Sequence, residues 1–141
     1  MPENPARALE QKRAQDAWNI VRPIKQEWEA ARNDQKVEAK VKKHSALARG
    51  APADVLTAGL GQTLAFWRAK KEPHHLWLYD AVSTWVLDQM KLPGNAPDLL
   101  EWIVDTADAN QYRMATAEAL AYLTWVKRFA EAELPKGDSD D

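Results

Sequence analysis

Two adjacent imidazoles, His74 and His75, and four carboxylates along one segment, Asp98, Glu101, Asp105 and Asp108, are the residue types in this chain that bear on catalysis or metal binding. Imidazole nitrogens and carboxylate oxygens ligate divalent ions, and paired carboxylates exchange protons. The spacing argues against both uses. Neighbours on a helix point about 100° apart, so His74 and His75 diverge and no carboxylate pair converges on them. They are expected as a helix-start pair at the surface, with no metal and no cofactor. The four acids share one face of a single helix, a pattern suited to solvation or to a protein contact. Ser45, Ser83 and Ser139 lie in no nucleophile-elbow motif, and Gly59-Leu60-Gly61-Gln62-Thr63 lacks the lysine and preceding strand of a phosphate loop. Gly59 and Gly61 read instead as helix capping and close helix approach. No residue is assigned to catalysis, and the chain is read as a non-enzyme.

The remaining chemistry is cationic. From Gln111 to Leu134 a helical period places Tyr112, Ala115, Ala119, Leu123, Val126 and Ala130 in one apolar stripe, with Leu120, Tyr122 and Phe129 on its shoulders. The opposite strip runs Arg113, Ala117, Ala121, Thr124, Arg128, small in the middle and ending in guanidinium groups, with Lys127 close to the line of Arg113. A partner can approach Ala117 and Ala121 closely, and Trp125 beside them is a candidate interface anchor. Arg113 and Arg128 stand about 22 Å apart along a helix, the span of several nucleotides of an extended strand. Solvation, with pairing to Glu118 or Glu131, is the competing reading of these cations.

Helices must position these groups. Asn4 and Pro5 start a long first helix whose seam is Ala14, Ala17, Val21, Ile24, Trp28 and Ala31, with a kink expected near Asn19 to Pro23. It fades at Asn33-Asp34. A lysine-rich second helix, Lys36 to Arg49, is expected to dock lightly, with Gly50 as its C-cap and Pro52 restarting a short helix to Ala58. Leu60 to Lys71 and His74 to Met90 follow, the latter with Leu76, Tyr79, Val82, Val86 and Met90 inward. Lys91 to Pro97 is a turn, Asp98 to Ala107 a further helix, and the long helix described above closes the domain before Pro135. No segment alternates as a strand. The expectation is an all-α, compact single-domain bundle of about six helices over residues 1–134, with 135–141 an acidic, disordered tail. Most of the seven tryptophans are expected in the core.

At 141 residues the chain is long enough for one sizeable core. It has no cysteine, which excludes disulfides and thiolate metal sites, and no apolar run approaching the roughly 20 residues that cross a bilayer. Nothing near Met1 resembles a secretory signal, so a cytoplasmic protein is expected. The net charge of −2 hides a polarity: residues 1–71 hold 14 Lys+Arg against 8 Asp+Glu, and residues 72–141 hold 5 against 13. Such a chain either presents a basic and an acidic surface or interleaves the two halves in space.

Two motifs carry a family resemblance. Leu47-Ala48-Arg49 through Pro52 to Gly59-Leu60 and Gln62-Thr63-Leu64-Ala65-Phe66 form the first. Tyr112-Arg113, Ala115-Thr116, Glu118-Ala119-Leu120 and Trp125 through Ala132 form the second. In this order and separation they closely resemble the small subunit, the fifth, of the Cmr complex, the type III-B CRISPR effector. Gly50-Ala51 and Asp54 depart from the family pattern, which has larger, more apolar or basic residues there. The resemblance implies an all-helical, non-enzymatic subunit that stacks in more than one copy along the backbone subunits of a crRNA-guided ribonucleoprotein. It lines the groove that holds guide and target RNA in antiviral defence, and other subunits perform the chemistry. On that basis Arg13, Arg49, Arg68, Lys70, Arg113, Lys127 and Arg128 are expected to form an RNA-facing strip. The face of Asp98, Glu101 and Asp105 is expected to meet a neighbouring protein subunit. The alternative is a helical protein–protein adaptor that does not touch nucleic acid.

Overall fold

Side-chain caps start most of the helices. Asn4 Oδ1 accepts from Ala6 N (3.0 Å) and Pro5 takes the first helical position, giving α1, Pro5–Ala30. Asp34 accepts from Lys36 N and Val37 N at the start of α2, Gln35–Ala58. Asp98 accepts from Glu101 N at α5, Leu99–Asp105. A reciprocal box of Asp108 and Gln111 starts α6, Ala109–Glu133. Helices α3, Leu60–Lys70, and α4, Pro73–Met90, lack such a cap. The computed structural model describes residues 4–91 and 98–137, and among these there are six α-helices and no strand, as the periodicity implies. The expected turn through Pro97 and the tail beyond Gly137 lie outside the described residues. Gly137 itself is buried, and a Cβ there would stand 2.7 Å from Ala46 Cβ and from Lys42 O.

Helix α6 is the centre of the bundle, packed mainly on α2 and α1 and also on α4. Of its expected stripe, Ala115, Ala119, Leu123, Val126 and Ala130 are fully enclosed and Tyr112 is half-buried, while Tyr122 from the shoulder joins the core. Alanines at the contact allow the helix axes to come close, which is why so polar a helix can be central. Trp67, Trp85 and Trp102 are buried, whereas Trp28, Trp77 and Trp125 are only partly so.

Three expectations are corrected. Helix α2 runs unbroken through Gly50 and Pro52, so neither ends it, and it is a principal packing helix rather than a lightly docked one. Val41, His44, Ser45, Ala48, Ala51 and Val55 all face inward, and burial on both sides of Pro52 outweighs the missing backbone donor. In α4, Leu76 is exposed and Leu78 takes the core position. Helix α1 is, as expected, one long helix with Pro23 inside it; the proline ring withholds a donor from the preceding turn, and the nearby Ile20 carbonyl accepts from Trp77 Nε1 (3.1 Å).

Gly59 and Gly61 take the expected roles of helix cap and close approach. Gly59 ends α2 at φ +91°, and Gly61 N donates to Tyr112 Oη (3.0 Å), so residues of the two motifs meet at the α2–α3 corner. Tyr112 Oη lies 3.5 Å from where a Cβ would stand on either glycine. Gly59→Ala therefore forces a side chain into a left-handed backbone and should lower stability by about 1–2 kcal/mol. Tyr112→Phe, which strips one hydrogen bond, should cost about 1 kcal/mol. Chemical denaturation of both variants checks these values.

Candidate nucleic-acid interface

The strip opposite the buried stripe of α6 is open to solvent. Arg113, Ala117, Thr124 and Arg128 are exposed, and Ala121, Trp125 and Lys127 are half-buried. Arg113 donates to Asn110 Oδ1 (3.2 Å) within its own helix, and Arg113, Lys127 and Arg128 enter no ion pair among the described residues. Ala121, Thr124, Trp125 and Arg128 line an open hollow of about 530 Å³ with Glu10 of α1. Trp125 is fixed on the rim, its Nε1 donating to Glu10 Oε1 (2.8 Å) and its ring 5.5 Å from that of Phe129. The surface thus offers cations at both ends, small side chains between them and an amphipathic ring at one edge.

The other residues expected on an RNA-facing strip are differently engaged. Arg13 is turned inward: its Nε and Nη2 donate to the two carboxylate oxygens of Glu118 (2.7 and 2.8 Å), and its Nη1 pairs with Glu10 (3.0 Å). Its side chain is only 17% exposed, so it belongs to the joint between α1 and α6 and not to a free cationic strip. Arg49 donates to Ser45 Oγ (3.0 Å) and to Leu134 O (3.3 Å), tying α2 to the end of α6. Arg68 pairs with Asp98 (3.3 Å) and Glu101 (3.7 Å). Lys70 Nζ stands 5.4 Å over the exposed Phe66 ring.

The acidic face is likewise partly spent. Asp98 and Asp108 are helix caps, Asp98 and Glu101 share the single guanidinium of Arg68, and Asp105 is exposed. Arg13 with Glu118, Lys25 with Glu133, Lys43 with Glu72 and Arg68 with Asp98 all join the basic half of the sequence to the acidic half. The halves therefore interleave at these joints. Ser45 accepts from Arg49, and Ser83 Oγ accepts from Leu99 N (3.0 Å), so both hydroxyls serve the fold.

Two groupings escaped the sequence reading. Glu118 is the hub of one: besides Arg13 it accepts from Trp85 Nε1 (3.0 Å), Trp85 stacks on Tyr122 at 5.4 Å, and Tyr122 Oη donates to Asp16 (2.7 Å). A signal for it was present, since Glu118 sits three residues after Ala115 and four before Tyr122, on the flank of the buried stripe. The other grouping is the histidines. His74 and His75 are buried, not a surface pair, with ring centroids 4.1 Å apart, and His44 lies 5.9 Å from His74. Burial, with the charge of His75 second, draws His74 down to about 4.

A family model described as CRISPR-associated protein (Cas_Cmr5) matches residues 9–133, from within α1 to the end of α6. It spans the buried stripe, the exposed strip, the Arg13–Glu118 joint and the Gly61–Tyr112 contact between the two motifs. With nearly the whole described bundle matched, the chain belongs to the CRISPR-associated protein (Cas_Cmr5) family, the small subunit of type III-B CRISPR effectors.

Proposed function

We propose that this chain is a non-catalytic subunit of a crRNA-guided Cmr ribonucleoprotein in the cytoplasm, stacking along the backbone subunits and helping to hold guide and target RNA. Family membership supports the assignment to the effector. The observation that carries the RNA contact is that Arg113, Lys127 and Arg128 stand on one exposed face of α6 with no acidic partner among the described residues. Backbone contacts of this kind are electrostatic and tolerate any sequence, which suits a complex whose specificity comes from base pairing with the guide. Lys70 beside the exposed Phe66 adds a cation and an aromatic face, the pair that single strands favour. Ala117, Ala121 and Trp125 supply the close-approach surface for a neighbouring subunit, with Asp105 and the exposed Val104 at a second contact.

The test is reconstitution of the effector around a guide RNA with and without this chain. With it, target RNA should be retained more tightly, and the gain should shrink as salt rises. A subunit that joins the complex but leaves both the affinity and its salt dependence unchanged is a protein-only adaptor, and that result overturns the RNA contact.

A further inference from the structure

All three histidines of the chain, His44, His74 and His75, gather where α4 begins beside α2. Glu72, the residue before α4, has an extended backbone (φ −75°, ψ 155°), and its carboxylate comes back over the first turn, with Oε2 3.9 Å from His74 Nδ1. One ligand-capable atom from each of Glu72, His74 and His75 lies within 4.8 Å of the other two. His75 Nδ1 is buried with no hydrogen-bond partner among the described residues. The carboxylate makes no helix-capping hydrogen bond, so the fold of α4 does not require it.

We propose that Glu72, His74 and His75 form a three-ligand site for a zinc-class divalent ion, with water in the fourth position. Two imidazoles and one carboxylate suit Zn2+ or Co2+, whereas Mg2+ and Ca2+ take all-oxygen shells. Donors around a tetrahedral ion with bonds of about 2.0–2.1 Å stand about 3.3 Å apart, so a small rotation of the half-exposed Glu72 closes the set. Lys43 Nζ, 4.0 Å from Glu72 Oε2, competes for the carboxylate and is displaced when the ion binds. His44 backs the site without joining it: its Nδ1 is tied to Lys40 O (2.9 Å) and its ring packs edge-on to Trp77. The ion ties the residue before α4 to the first turn of that helix.

Calorimetric titration of Zn2+ into the metal-free full chain should give saturable binding of one ion and a raised melting temperature. Glu72→Gln, at a side chain 49% exposed, should fold normally and lose affinity about tenfold or more. Co2+ bound to the wild type should show the intense visible bands of a four-coordinate ion, and these should fade in Glu72→Gln. Equal Zn2+ affinity in the two proteins, absence of one-ion saturable binding, or a cobalt spectrum of the hydrated six-coordinate ion overturns the site.

Discussion

Glu118→Ala should lower the unfolding free energy by about 3–5 kcal/mol, the range for removing one partner of a buried ion pair. For a chain of this size that is a fall of roughly 10–15 °C in melting temperature. The Glu118 side chain is 12% exposed and satisfies three donors: Arg13 Nε, Arg13 Nη2 and Trp85 Nε1. Alanine leaves Arg13 Nε and Nη2 and the indole N–H without their acceptor at the joint of α1, α4 and α6, with only Nη1 still held by Glu10, so the cost comes mainly from stranded donors. Removing both charged partners in Arg13→Met/Glu118→Leu should therefore be less damaging than Glu118→Ala alone. Burial opposes the charge on Glu118, but hydrogen bonds from Arg13 and Trp85 outweigh it and hold the carboxyl below its ordinary range. A carboxyl lowered in the folded state stabilises the protein above its unfolded value and ceases to do so as pH falls through its folded value. The gap between wild type and Glu118→Ala should be full at neutral pH and narrow in acid. Thermal and urea melts across pH decide the matter: a loss under about 1 kcal/mol at pH 7 removes Glu118 from its place as the hub.

Arg113→Glu with Arg128→Glu should leave the fold intact and weaken target-RNA retention by the reconstituted effector. Both side chains are exposed and neither enters an ion pair among the described residues, so stability should shift by no more than about 0.5 kcal/mol. If each arginine neutralises one phosphate of a single strand, the slope of log affinity against log salt falls by about 1.4 on losing two contacts. At physiological salt the lost counterion release alone is worth about fifteenfold, and repulsion from the new carboxylates carries the effect toward a hundredfold. Electrophoretic or filter-binding titration at several salt concentrations reads both quantities. Unchanged retention by a fully assembled complex sinks the RNA-facing assignment. Failure of the variant to enter the complex reassigns the strip to a neighbouring subunit.

The all-α class, most helix boundaries and the buried stripe of α6 were legible because they rest on local rules. A 3.6-residue period, a capping side chain or a proline acts over one or two turns, and the sequence displays it directly. The misreadings at α2 have the opposite origin. Gly50 and Pro52 carry local breaking signals, yet Ala48, Ala51 and Val55 are fixed by helices distant in sequence, and their burial overrides the local preference. Backbone divergence alone separates His74 from His75, whereas side-chain rotamers bring their rings together and neighbouring elements cover them.

For the candidate interface the division is sharper. By itself the sequence determined which face of α6 is apolar and which carries Arg113, Ala117, Ala121, Thr124 and Arg128, because one helix's own geometry sets that arrangement. It equally displayed the two motifs on which the family resemblance rests. Only the tertiary structure decided which cations remain available. Arg13 meets Glu118 across 105 residues and Arg68 meets Asp98 across 30, so two arginines that look equivalent to Arg128 in the sequence are already neutralised. A charge is free or spent according to what stands within about 4 Å of it, and for groups on different helices that distance exists only once the helices have packed.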